Sequence, residues 1–161
     1  MTADPNDGDF GELLQEFVNR ISHGQGKTLA IFTEESVTLQ QILLLRRLQQ
    51  CSESTSSELA ERMHMSLPAV SQMIERLFLL GLITRTEAPD DRRRRNLALT
   101  QKGQTLLHRV RKARAAEYAA GTAGLSPELR KQLSRLLRKA LAELPENSGA
   151  VSSAKTRRAA G

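Results

Sequence analysis

Apolar side chains recur along this chain at helical spacing, and capping signals divide the pattern into segments. Phe10, Leu13, Leu14, Phe17, Val18 and Ile21 fall three and four residues apart, one face of a helix. Gly24 and Gly26 break or loosen it, because glycine costs about 1 kcal/mol in a helix interior. Leu29, Ile31 and Phe32 are candidates to continue it. Thr38 and Gln41 have the spacing of a capping box, and Leu39, Ile42, Leu43, Leu45 and Leu48 follow as an apolar face, predicting a helix over 39–50. Thr55 and Glu58 repeat the signal and open a short helix, Ser56–Met63, which buries Leu59, Ala60 and Met63. His64–Met65–Ser66 makes a tight connection, and Ser66 is placed to cap a helix over Leu67–Leu80. Pro68 suits its first turn, where a missing N–H removes no intrahelical bond. Val70, Met73, Ile74, Leu77 and Leu80 share one face, leaving Ala69, Ser71, Gln72, Glu75 and Arg76 outward.

After Gly81, which ends that helix, the period shortens to two. Leu82–Thr86 alternates, Ala88–Asp91 reads as a turn, and Asn96–Thr100 alternates again around Leu97 and Leu99. Two short strands joined by an arginine-rich loop are expected. Thr100 then caps a long helix bearing Leu106, Leu107, Val110, Ala113 and Ala116, interrupted at Gly121 and Gly124. Ser126–Pro127–Glu128 restarts a helix whose Leu129, Leu133, Leu136, Leu137, Ala140, Leu141 and Leu144 share a face, and Pro145 stops it. Residues 1–9 read as a flexible acidic lead and 146–161 as a flexible basic tail. The expected fold class is mostly α with a small β-hairpin wing.

Composition narrows the function. A length of 161 residues fits one domain. A lone cysteine excludes an internal disulfide framework and a four-cysteine zinc site, and with 3% aromatics and no Trp, stacking on single-stranded bases is a poor expectation. No apolar run reaches membrane-span length, no membrane partner is expected, and the acidic amino terminus is no signal peptide, so the expected address is cytoplasmic. The net charge is +6, but it is unevenly placed: residues 85–114 carry ten basic against three acidic side chains, net +7. Helix, tight turn, helix and basic hairpin is the order of a winged helix-turn-helix. One helix fits a major groove about 12 Å wide, the preceding helix braces it, and hairpin arginines meet the negative potential of an adjacent minor groove.

Five stretches then carry a resemblance: VTLQQILLL (37–45), TSSELAERM (55–63), SLPAVSQMIERL (66–77), GLITR (81–85) and PDDRRRRNLALTQKG (89–103). They resemble the MarR family of bacterial transcription regulators. The last is the most specific, with Asp91, Arg92 and Arg93, a strand, then Leu99–Thr100–x–x–Gly103. The resemblance implies a MarR-type domain over 10–145. Within it, a winged helix-turn-helix lobe spans about 37–103, and N- and C-terminal dimerisation helices lie at about 10–32 and 104–145. It also implies a homodimer gripping a pseudo-palindromic operator in double-stranded DNA. Ser71, Gln72 and Arg76 would face the major groove, with Pro68 and Ala69 near its edge beside Ser66. Arg93, with Arg92, Arg94 or Arg95, would reach the minor groove or flanking phosphates, and Asp91 would hold a wing arginine. Family members mostly repress, and many release DNA on binding a small phenolic or other aromatic effector, or on cysteine oxidation.

Each feature has a plainer reading. The Arg92–Arg95 run is a solvated turn unless its position between strands counts, and that position favours DNA contact. Cys51 is a candidate redox site. It ends the second helix, however, whereas the peroxide-sensing branch places its cysteine near the start of the first, which favours a small, partly buried apolar role. His23, His64 and His108 form no zinc-ligand spacing, and no cofactor is expected. No glycine-rich phosphate loop or catalytic set appears, so the chain is not expected to be an enzyme. A nonspecific, architectural DNA-binding protein is the competing expectation.

Overall fold

Helix boundaries in this protein follow its capping residues. A computed structural model describes residues 6–22, 26–50, 54–88 and 91–144, with the backbone alone at 6–8, 87–88 and 91–95. The order is α1 (Asn6–Ile21), α2 (Lys27–Glu34), α3 (Leu39–Gln50), α4 (Ser56–Met63), α5 (Leu67–Leu79), β1 (Ile83–Ala88), β2 (Asp91–Leu99), α6 (Gln101–Gly121) and α7 (Pro127–Glu143). The described residues divide into two compact units: residues 6–39 with 105–144, and residues 40–104. No described helix is long and apolar enough to cross a membrane.

In the first unit, α1 starts at Asn6, four residues before the expected apolar periodicity. Polar Asp7 and Asp9 carry no core signal, yet they suit a helix amino end, where the unpaired N–H groups favour negative charge. The glycine break makes α2 a separate helix rather than a continuation, with Gly26 as its N-cap at φ 60°. Two polar links fix α2 against α6. The Glu117 carboxylate accepts from the Thr28 N–H at 2.8 Å and from the Thr28 hydroxyl at 2.9 Å, and both residues are buried. Glu117 thus serves an amino-terminal donor of α2 from a distant helix. At the other end of α2, Arg109 donates to Glu34 at 2.7 Å and to Glu35. Chiefly through the hydrogen bond and charge of Glu34, these partners raise the Arg109 pKa above its ordinary value.

Gly121 marks where α1 and α6 touch backbone to backbone, since a Cβ there would stand 2.3 Å from the Ile21 carbonyl oxygen. Ser126 caps α7 by accepting from the Leu129 N–H at 3.2 Å, and Arg130 donates to the Thr122, Ala123 and Leu125 carbonyls, closing the turn before it. The leucine face of α7 is not covered: Leu129, Leu136, Leu137, Leu141 and Leu144 are exposed, as are Phe10, Leu13 and Leu14 of α1.

The second unit has an apolar core of Leu44, Leu45, Leu59, Val70, Ile74, Leu77, Leu82, Ile83 and Leu97. The phase of α3 differs from the expected face. Leu44 is fully buried, whereas Leu39 and Leu43 are exposed. An unbroken run of four apolar residues, Ile42–Leu45, cannot announce which of them faces inward. Met63 and Met73 are half-buried rather than core. β1 and β2 pair antiparallel from Ile83↔Leu99 through Glu87↔Arg95, and a bridge from Leu97 to Ser54 ties the hairpin to the segment before α4.

The hairpin also corrects one expectation. The arginines belong to strand β2 rather than to a connecting loop, and the strands run longer than their alternating patterns. Between the pairs Glu87↔Arg95 and Ala88↔Asp91 the register shifts, so Arg92, Arg93 and Arg94 are extra residues on the β2 side. Four arginines in a row contain no alternation, which hid the strand from a period-two reading.

Candidate nucleic-acid interface

The helix pair α4–α5 is defined by its caps. The Thr55 hydroxyl accepts from the Glu58 N–H at 3.3 Å while the Glu58 carboxylate accepts from the Thr55 N–H at 2.8 Å, a complete capping box. His64 ends α4 in the left-handed region at φ 51°, and Ser66 accepts from the Ala69 N–H at 3.4 Å to begin α5. Leu59 and Ala60 of α4 and Val70, Ile74 and Leu77 of α5 are buried, which fixes the roll of α5 about its axis.

That roll puts Ser71, Gln72, Glu75 and Arg76 on the solvent side, with Ser66 and Pro68 exposed at the amino end and Ala69 half-buried. Glu75 and Arg76 are the charged residues of α5, so the helix surface is formally neutral. The expected groove-facing residues therefore share one exposed surface. Asp91, Arg92, Arg93, Arg94 and Arg95 lie in β2 by backbone. Their side chains, and with them the expected Asp91–arginine pair, lie outside the described residues, as do Cys51 and His23. His64 is exposed at its cap position, and His108 is exposed on α6 with Nδ1 3.5 Å from the Arg111 guanidinium.

Two parts of the site were missing from the sequence reading. The first is a lock at the carboxyl end of α5. Thr100 donates its hydroxyl to the Gly81 carbonyl at 2.8 Å and accepts from the Gly103 N–H at 3.0 Å, while Lys102 donates to the Leu80 carbonyl at 3.0 Å. A Cβ on Gly103 would stand 2.2 Å from the Leu82 carbonyl oxygen. The Leu99–Thr100–x–x–Gly103 signature thus has a packing cause: its threonine and glycine clamp the first turn of α6 onto the chain leaving α5. Lys102 satisfies a helix-end carbonyl.

The second is an ion pair across α5 and β1. Arg85 donates to the Glu75 carboxylate at 2.6 Å, and its guanidinium lies 4.6 Å from the centre of the Phe78 ring. Ser56, Ser71, Ile74, Glu75, Arg85 and Leu97 surround a hollow of about 220 Å³ here. Glu75 as the sole acid of α5 was a legible signal, but its strand partner was not. Arg85 and Arg109 both spend charge on acids, so the +7 stretch is less free for phosphate than its count suggests.

Comparisons with known proteins agree with this arrangement. A family model described as MarR family matches residues 37–94. The helix-turn-helix transcriptional regulator YhbI of Bacillus subtilis is 31% identical over 129 residues, covering 80% of this chain and 81% of that protein. The transcriptional repressor MdtR of the same organism is 34% identical over 120 residues, covering 73% and 76%. The crystal structure of YusO, also from Bacillus subtilis, superposes with a TM-score of 0.64 at 31% identity, covering 90% of this chain and all of that one. By the match to its family model and its likeness to these regulators, the chain belongs to the MarR family of DNA-binding transcription regulators.

Proposed function

We propose that the protein is a homodimeric, sequence-specific repressor that releases its operator when a small molecule binds. The observation that carries the reading is the exposed, uncharged stretch of α5, Ser71 and Gln72, on a helix whose opposite face buries Val70, Ile74 and Leu77 and whose two ends are capped or clamped. Hydroxyl and amide groups on a rigid helix suit base edges, whereas phosphate affinity comes from cations elsewhere. In this reading α5 enters the major groove, with Ser71, Gln72 and Arg76 towards the bases and Ser66, Pro68 and Ala69 at the groove edge. The Arg92–Arg95 segment of β2 serves the minor groove or its phosphates, with Asp91 shaping it. Residues 10–145 act as one domain whose dimer contacts come from α1 and α7, and their uncovered Phe10, Leu13, Leu136 and Leu141 support that assignment. MdtR, a repressor by its name, supports the direction of control.

The test is binding to the protein's own promoter region and to random DNA over a salt series. Specific binding is expected to exceed nonspecific by about three decades or more. Equal affinity for both would overturn the repressor reading in favour of an architectural role. A screen of phenolic compounds for release of bound promoter DNA tests the effector.

A further inference from the structure

Glu75 stands on the proposed DNA-facing surface of α5, where a carboxylate has no evident reason to be. Phosphates repel it, and α5 carries no second acid to share a structural role. The structure makes its presence tolerable in a specific way. Arg85, on strand β1, donates to Glu75 Oε2 at 2.6 Å, so the pair is neutral as a unit. The Arg85 side chain is 19% exposed and its guanidinium lies 4.6 Å from the Phe78 ring centre, so it is held by strand, ring and carboxylate together. The Glu75 side chain is 55% exposed. Its carboxylate is therefore anchored at one oxygen by a half-buried cation while the side chain as a whole stays more than half exposed.

We propose that Glu75 is a sequence-reading residue, accepting from the exocyclic amine of a cytosine in the major groove, and that Arg85 is its positioning residue. This rests on the placement of α5 in the major groove. The chemistry is selective in both directions. Cytosine is the base that shows an amine donor and no ring acceptor on its major-groove edge, whereas guanine offers the acceptors O6 and N7, and thymine offers O4. A carboxylate gains a hydrogen bond from the first and is repelled by the others, so it discriminates by exclusion as well as attraction. Anchoring matters because a free glutamate side chain loses rotamer entropy on docking, whereas one already held by Arg85 has less to lose. Ser71, one turn before Glu75, borders the same hollow as Glu75 and Arg85. The ion pair thus adjoins Ser71, which the proposed placement of α5 turns towards the groove.

The experiment is selection of DNA sites from a random library by the full chain and by Glu75→Gln, Glu75→Ala and Arg85→Gln, followed by affinity measurements on the selected site. The unaltered protein is expected to select a C·G pair at one position of each half-site. E75Q is expected to shift that position towards A·T, because an amide pairs with adenine, with about a tenfold change in relative preference. E75A should lose the preference there, and R85Q should weaken it at the same position alone. A purely structural role would move affinity or melting temperature without changing the base chosen. A consensus that E75Q leaves unchanged at every position overturns this inference alone. So does a variant that binds all sites more tightly by the same factor, since that reports relieved phosphate repulsion. Failure of the unaltered protein to select any consensus overturns the repressor reading and this inference together.

Discussion

Single residues at this site separate into those that hold shape and those proposed to face DNA. Gly103 belongs to the first kind. Any side chain there drives a Cβ into the Leu82 carbonyl, so Gly103→Ala is expected to destabilise the fold by at least ~1–3 kcal/mol, read as a lower midpoint in urea denaturation. A midpoint equal to that of the unaltered protein would show that the clamp yields at no cost. Thr55→Ala removes one half of the α4 capping box and should cost about 1 kcal/mol in the same assay. Arg93 is proposed for the second kind, by its place among the extra residues of β2. Arg93→Ala should weaken DNA binding and flatten the dependence of log affinity on log salt by about one unit. An unaltered slope would take Arg93 off the phosphates.

Elements are set by phase as much as by existence. The segment 39–50 is a helix by every signal in its sequence, yet Leu44 rather than Leu43 faces the core. Leu44→Ala is expected to cost about 2–5 kcal/mol, as for a filled site that collapses only in part. Leu43→Ala should cost less than about 1 kcal/mol, as for a surface position. Reversal of that order in thermal or urea unfolding would show that α3 is rolled by one residue. Caps were legible because they are local: Thr55 with Glu58, Ser66, Ser126 with Pro127, and Gly81 each act within four residues. The phase of α3 was not legible, because four consecutive apolar side chains satisfy any roll and only the packed neighbours choose. β2 was hidden for a related reason. Its arginines are fixed as strand by pairing with β1, not by a pattern of their own.

For the whole molecule, the open question is what covers the leucines of α7. They repeat at helical spacing, as a core face does, yet they remain exposed in one chain together with Phe10, Leu13 and Leu14. A second copy is the proposed cover. Leu136→Glu combined with Leu141→Glu should lower the mass in sedimentation from that of a dimer to that of one 17.9 kDa chain, with loss of tight operator binding. An unaltered chain already at that mass at micromolar concentration would remove the dimer.

By itself, the sequence determined the order of helices and hairpin, the identity of the family, and where positive charge concentrates, because periodicity, caps and composition are local quantities. Tertiary structure decided which leucine of α3 is core and what Thr100 and Gly103 hold together. It also decided that Arg85, Lys102 and Arg109 spend their charge on the protein itself. Those outcomes depend on atoms brought together from 10 to 75 residues apart, as in Arg85 with Glu75 and Arg109 with Glu34. Hydrogen bonds and close packing reward such meetings only once the chain has folded, so no periodicity announces them.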